Sequence, residues 1–100
     1  MNIVKVENGN VWVCNVQSGS GWIIANNAVS ADFNSNQTLI VVTTKNGNVE
    51  IYDVQSRGNR TIASNGNATN ARWAGDDIVI TTTEGTTGLW GQQGNYKRTL

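Results

Sequence analysis

The sequence repeats itself at an interval of 38 residues, and this period constrains the fold more than any single motif does. Three glycines, Gly9, Gly47 and Gly85, mark the period. The segments around them, ENGNVWVCNVQS, KNGNVEIYDVQS and EGTTGLWGQQ, superpose without a gap, and so do NIVKV, IVVTT and IVITT just upstream. A second pair, AVSADF and ATNARW, recurs at an interval of 40, so changes in length are confined to loops. Such a period indicates an array of one supersecondary unit.

Each complete repeat is expected to contain four short antiparallel strands. In the middle repeat these lie near residues 29–33, 39–44, 49–54 and 60–64. Asn46-Gly47 between the second and third strands is a strong hairpin signal, because both residue types tolerate positive φ. Residues 39–42 are all apolar, which indicates burial on both faces of a sheet. Asparagine, glycine and threonine are abundant, proline is absent and no window has a helical apolar stripe, so we predict an all-β chain.

Four antiparallel strands in 38 to 40 residues, buried on both faces, describe a blade of a β-propeller. The sequence resembles the WD-repeat family of propellers, because VEIYDV stands where that family has its Trp-Asp strand and Asp53 holds the aspartate position. WVCN and GLWG occupy the same place in the other repeats. The resemblance implies one domain, residues 1–100, with blades at about 1–26, 27–65 and 66–100. The chain has no Gly-His dipeptide and no histidine, so the family's Asp-His-Ser/Thr-Trp hydrogen-bond network cannot form.

The predicted strands number eleven, just under three blades, whereas a propeller ring closes with about four to eight blades. Three blades alone would leave two apolar blade faces in water. We therefore expect a partial β-propeller of four-stranded antiparallel blades that is completed by homo-oligomerisation, most simply as a homodimer of about six blades. The alternatives are a trimer, docking onto a larger protein, a monomeric β-sandwich, and a fragment of a longer propeller.

Composition excludes several kinds of chemistry. The chain has no histidine and a single cysteine, Cys14, which lies in an apolar strand pattern and is expected to be buried. Nucleophile–base arrangements and multi-cysteine metal sites therefore lack the residues that form them. The adjacent carboxylates Asp76 and Asp77 lie in a predicted turn. We predict that the protein is not an enzyme and has no cofactor, no catalytic residue and no metal site.

The net charge and the hydropathy of the chain limit the kinds of partner that we expect it to bind. Seven basic and seven acidic residues give no net charge, which is not typical of a nucleic-acid-binding protein. No apolar run is long enough for a signal peptide or a membrane span. We expect neither nucleic acid nor membrane as a partner, and a cytoplasmic location by default or a place in a virion.

Two of the four tryptophans fit the repeat and two break it. Trp73 and Trp90 fall at positions that are apolar in every repeat, so we expect them in the core. Trp12 stands where the other repeats have glutamate or glycine, and Trp22 stands where they have arginine. An aromatic side chain at a position otherwise polar suggests a contact surface for a subunit or for a sugar ring, the alternative being packing under a loop. The candidate ligand or interface residues are Trp12, Trp22, Arg60 and Arg98.

These observations support two functional hypotheses. The first is a non-enzymatic, self-assembling structural or protein-interaction module, for which a phage virion component (tail, fibre or decoration) is one form suggested by composition. The second is a small oligomeric lectin that binds carbohydrate through its tryptophans. The first hypothesis has the protein itself and another protein as partners, and the second has a glycan.

Overall fold

The computed structural model describes residues 2–100 and contains eleven β-strands and, in that range, no helix. The strands form three antiparallel sheets, so the all-β prediction is confirmed. Their bounds are β1 Asn2–Glu7, β2 Asn10–Asn15 and β3 Gly21–Ala25 in the first sheet, β4 Ala28–Phe33, β5 Leu39–Thr44, β6 Val49–Asp53 and β7 Asn59–Ala63 in the second, and β8 Ala68–Ala74, β9 Asp77–Thr82, β10 Thr87–Trp90 and β11 Tyr96–Thr99 in the third.

Each sheet is a meander in which consecutive strands pair, as in a propeller blade. We call them blade 1 (β1–β3), blade 2 (β4–β7) and blade 3 (β8–β11). The blades stack in chain order, with β4 in contact with β1 on one side and with β8 on the other. Within residues 2–100, blade 1 has no counterpart of β4 and β8, so β1 forms its inner edge.

Blade 2 is buried on both faces because its neighbours cover it from either side. Alternate residues of β5 serve two different cores: Ile40 and Val42 belong to the cluster between blades 1 and 2, and Val41 belongs to the cluster between blades 2 and 3. All three are fully buried, and each contributes roughly 1.5–3 kcal/mol by leaving water. We refer to the clusters as the blade 1–2 core and the blade 2–3 core. Trp73 and Trp90 pack against the blade 2–3 core, which confirms their predicted role.

The hairpin between β1 and β2 is shorter than its counterparts in blades 2 and 3. Asn8 and Gly9 form a two-residue loop with φ values of 54° and 80°, because Glu7 and Asn10 are the last paired residues. In blade 2 the turn is longer, Thr44 donates its backbone N–H to the Asn48 carbonyl, and of the turn residues only Gly47 has a positive φ.

The gap-free superposition of NIVKV on the other repeats is therefore wrong by one residue. Val4 pairs with Val13, as Val41 pairs with Ile51, so Val4 and not Ile3 takes the place of Val41. A one-residue shift in a strand sends every side chain to the opposite face. As a result Val4 packs against the blade 1–2 core, whereas Ile3 lies on the outer side of blade 1.

The hairpin turns also tie each blade to the next. The carbonyl of Gly9 accepts a hydrogen bond from the backbone N–H of Ala28 at the start of β4, and the carbonyl of Gly47 accepts one from Ala68 at the start of β8, both at 2.9 Å. A β-carbon on Gly47 would lie 2.4 Å from the backbone of Gly66. Glycine at this turn thus supplies both the positive φ and the space for the connection between blades 2 and 3.

Candidate interaction surfaces

The side of blade 1 that faces away from blade 2 is open to solvent, and we call it the blade-1 open face. Strand pairing places Trp12 between Lys5 and Ile23, and it places Ile3 opposite Cys14. Ile3 and Ile23 are each 44% exposed, and Trp12 is partly covered. Cys14 is also only partly covered, and not buried as the sequence suggested. The face therefore presents aliphatic and aromatic side chains, with the ion pair between Lys5 and Glu7 at 3.6 Å beside them.

The side of blade 3 that faces away from blade 2 is the corresponding blade-3 open face. It is built on a row of directly paired residues, Arg72, Val79, Leu89 and Arg98. Val79 is only 5% exposed, yet it belongs to neither core. The face thus has an apolar centre between two exposed arginines.

The structure distributes the four candidate residues along the blade stack and does not gather them into one site. Trp12 lies on the blade-1 open face and Arg98 lies on the blade-3 open face, at opposite ends of the stack. Trp22 and Arg60 lie on the sides of their blades that face the next blade.

Trp22 packs between blades 1 and 2. Its side chain contacts the blade 1–2 core, and the guanidinium of Arg57 lies 5.1 Å from the centre of its ring, within the range of a cation–π contact. The indole N–H is buried and has no hydrogen-bond partner among residues 2–100. Arg57 belongs to the loop between β6 and β7, where it adopts a φ of 63°. Most of the indole surface is therefore already engaged within the chain.

Arg60 connects blade 2 to blade 3. Its Nε donates a hydrogen bond of 2.9 Å to the main-chain carbonyl of Gln92, in the loop that follows β10. Arg60 also lines an open depression of about 300 Å³, together with Leu39, Ile51 and residues of the β6–β7 hairpin. The side chain serves as a bridge between blades at the outer edge of the stack.

Asp32 is a contact residue that is not among the candidates suggested by the sequence. Its Oδ2 accepts a hydrogen bond of 3.2 Å from the backbone N–H of Trp73, and its carbonyl accepts one of 3.0 Å from the indole Nε1 of Trp73. These bonds join the inner strands β4 and β8. The sequence signal was weak, because Arg72 occupies the same position in blade 3 and no repeated charge marks the site.

Asp53, at the position that resembles the WD aspartate, caps the loop between β6 and β7. Its Oδ1 accepts hydrogen bonds of 2.9 Å from the backbone N–H groups of Gln55 and Ser56. The hydrogen bond from Ser56 is the main reason why the pKa of Asp53 lies below its ordinary value. Asn15 caps the equivalent loop of blade 1 with the same geometry.

Tyr52 and Glu50 form a polar pair on β6 beside the blade 1–2 core. The phenol donates a hydrogen bond of 3.0 Å to the Glu50 carboxylate. Burial, followed by this bond and the negative charge of Glu50, raises the pKa of Tyr52 to about 12. The phenol is thereby kept neutral.

Reactive groups do not converge in the part of the chain that the structure describes. Residues 2–100 contain no group of three or more histidine, cysteine, aspartate or glutamate side chains placed to hold a metal ion. Asp77, predicted to lie in a turn with Asp76, is instead the first residue of β9, and it forms an ion pair of 2.9 Å with Lys97. Over the same residues, no helix is long and apolar enough to cross a membrane.

Comparison with known proteins identifies the fold. No protein-family model and no curated protein matches the sequence. Solved structures match nearly the whole chain. A chain of a mitotic checkpoint complex matches with a TM-score of 0.86 and 23% identity, over 99% of this chain and 33% of that one. Saccharomyces cerevisiae Sqt1 matches with a TM-score of 0.74 and 18% identity (98% of this chain and 29% of that one), and the C-terminal WD40 domain of Sif2 with a TM-score of 0.65 and 16% identity (99% and 33%). The fold is that of part of a β-propeller.

This partial propeller spans about a third of the length of the structures that it matches. An acylaminoacyl peptidase also matches (TM-score 0.75, 9% identity, 99% of this chain and 22% of that one), so propellers of this shape occur in an enzyme as well as in WD40 proteins. At these identities the likeness concerns the fold, and function has to be argued from the surfaces.

Proposed function

We propose that the chain is a non-enzymatic protein-interaction module whose three blades associate with further blades, those of a second copy, to complete a ring. The observation that carries the proposal is the chemistry of the blade-1 open face. Ile3 and Ile23 are 44% exposed beside Trp12 on a sheet whose other side is buried in the blade 1–2 core. Such a face resembles the centre of a protein interface more than a solvated sheet.

The non-enzymatic part of the proposal is supported by composition and by placement. The chain has no histidine to act as a general base, and its polar pairs serve turns and contacts between blades. The matched structures include WD40 proteins and a mitotic checkpoint complex, and an assembly of several proteins is in keeping with an interaction role.

Solution mass, measured by light scattering at micromolar concentration, tests the association. We expect a dimer or a larger defined oligomer. We expect Trp12→Arg to return the protein to a monomer, because an additional charge beside the Lys5–Glu7 ion pair would have to be desolvated at the contact. Ser56→Arg, in an exposed loop of blade 2, is the matched control and should leave the mass unchanged. A strict monomer for the unaltered chain would contradict the proposal.

A lectin is the second candidate, favoured by the open position of Trp12. An aromatic face can stack on a sugar ring, and Trp12 has a partly exposed ring, whereas Trp22 is packed between blades. Titration with a glycan panel should then quench tryptophan fluorescence, and Trp12→Ala should abolish the effect. Quenching that survives in Trp12→Ala would count against this candidate. A virion role, suggested by composition, and a cytoplasmic location, expected by default, stay predictions.

A further inference from the structure

We propose that the blade-3 open face of one copy packs against the blade-1 open face of a second copy, and that Arg98 at this seam donates a hydrogen bond to the main-chain carbonyl of Val16. The inference rests on the proposed function, because it names the partner surface and the contact through which the ring is completed.

The first step is the contact already present between blades 2 and 3. Arg60, in the outer strand β7, donates from Nε to the carbonyl of Gln92 at 2.9 Å. It reaches across the interface to the loop that follows the third strand of the next blade. The bond is charge-assisted and uses a main-chain acceptor, so it depends on the position of the acceptor and not on the acceptor's side chain.

The second step places the equivalent residues at the two ends of the stack. Arg98 lies opposite Leu89 as Arg60 lies opposite Ile51, so Arg98 holds the position of Arg60 on the blade-3 open face. Val16 precedes Gln92 by 76 residues, two periods of the repeat, and it lies in the loop that follows β2 as Gln92 lies in the loop that follows β10. Val16 is 55% exposed. The donor and the loop that would accept from it thus lie at opposite ends of the stack of three blades, and a second copy placed head to tail brings them together.

The third step concerns the residue of blade 1 that holds the position of Arg60. Trp22 lies opposite Val13 and packs against blade 2. The outer-strand position therefore contacts the following blade in both interfaces within the chain, by packing in one and by a hydrogen bond in the other. Arg98 is the third member of the series, and in this structure it is exposed.

Charge and shape favour this head-to-tail pairing over pairing of like faces. Two blade-3 open faces would bring Arg72 and Arg98 of one copy against the same residues of the other, which is unfavourable. Two blade-1 open faces would leave both blade-3 open faces in water. The head-to-tail arrangement places Val79 and Leu89 against Ile3 and Cys14. The counterparts of these residues inside the chain, Val41, Ile51, Ile78 and Trp90, lie together in the blade 2–3 core.

The arrangement also predicts the size of the ring. Two copies give six blades with two identical seams, within the range in which propellers close, whereas three copies give nine. We therefore expect a closed dimer.

Cysteine-specific cross-linking tests the pairing. Cys14 is the only cysteine of the chain and lies on the blade-1 open face. Leu89→Cys adds a thiol to the blade-3 open face; the corresponding residues Ile51 and Trp90 meet in the blade 2–3 core. A short bis-maleimide should link Leu89→Cys into covalent dimers, and adding Cys14→Ser should abolish them. Ser56→Cys is the matched control and should give few covalent dimers.

Substitution of Arg98 tests the contact itself. Arg98→Ala should weaken the closed dimer about a hundredfold, because each of its two identical seams loses one hydrogen bond from a charged donor, worth about tenfold. Arg60→Ala, which removes the same bond inside the chain, should lower the stability of the monomer and leave the affinity between copies within about twofold.

The outcomes separate this inference from the proposed function. A monomer by light scattering contradicts both. A dimer that cross-links through Cys14 alone, or through Leu89→Cys in the absence of Cys14, contradicts only the head-to-tail pairing. A dimer unaffected by Arg98→Ala contradicts only the role of Arg98.

Discussion

Asp53 and Asn15 show how a single position keeps its structural role while its chemistry changes. Both side chains accept hydrogen bonds from two backbone N–H groups, Asp53 in the loop that follows β6 and Asn15 in the loop that follows β2. Asp53, which holds the aspartate position in the resemblance to WD repeats, is the last residue of β6. With no histidine in the chain, the carboxylate is a turn cap and the network of the WD family has no counterpart here.

Tyr52 should make the protein sensitive to alkaline pH. Its folded-state pKa of about 12 lies above the unfolded value of 10.0. Folding therefore favours the neutral phenol, and this contribution is fully present below pH 10 and is lost as the pH rises through about 12. We expect the free energy of unfolding to fall over that interval, and to fall less steeply in Tyr52→Phe, as measured by chemical denaturation at a series of pH values.

The titration of Tyr52 can be measured directly by ultraviolet absorbance. It has two tyrosines, so Tyr96→Phe leaves Tyr52 as the only source of phenolate absorbance. In that variant we expect the absorbance to rise with a midpoint well above 10. A midpoint at the ordinary tyrosine value would show that Glu50 and burial do not hold the proton.

At the level of the elements, the hairpin turns decide both strand register and the connection between blades. Asn-Gly appears in the first two repeats, but it closes a two-residue loop at Gly9 and a longer turn at Gly47. The difference of one residue puts Ile3 on the open face and Val4 in the core. Identical dipeptides thus support different registers, because the neighbouring blade selects which strand face is buried.

Gly47 and Gly85 form a matched pair for testing the connection between blades. Both have positive φ, at 80° and 83°, so alanine costs about 1 kcal/mol of conformational strain at either position. At Gly47 a β-carbon would also meet the backbone of Gly66 at 2.4 Å, whereas at Gly85 nothing lies within 4 Å.

We therefore expect Gly47→Ala to lower the free energy of unfolding by about 3 kcal/mol and Gly85→Ala by about 1 kcal/mol, as measured by urea denaturation. Equal losses for the two variants would mean that the turn of blade 2 does not rest against blade 3 in solution.

On the scale of the whole molecule, the blades form a short one-dimensional array. Each blade contacts only its neighbours, so stability depends on the two cores and on the links across them. Blade 1 is the smallest unit, with three strands and one covered face. Its attachment relies on the blade 1–2 core, where Trp22 supplies the largest side chain.

Trp22→Ala should weaken the attachment of blade 1 to blade 2 more than any substitution on the open faces does. We expect a loss of about 2 kcal/mol in the free energy of unfolding, since the indole is partly buried against blade 2. Trp12→Ala is the control and should cost the monomer less than half as much. Hydrogen exchange of the β1–β3 amides should accelerate in Trp22→Ala. Protection unchanged in these strands would contradict the role assigned to Trp22.

The sequence by itself determined the repeat, the eleven strands and the all-β propeller fold, because period, turn residues and apolar runs are local properties that each blade expresses in the same way. It also singled out Trp12 and Trp22 as departures from the pattern. Only the tertiary structure decided that Trp22 packs between blades while Trp12 lies on an open face, that β1 is shifted by one residue, and that Asp32 and Arg60 bridge blades 2 and 3. These features depend on which face of each blade packs against its neighbour. That packing joins segments that are distant in sequence, and the repeat pattern does not show which of them meet.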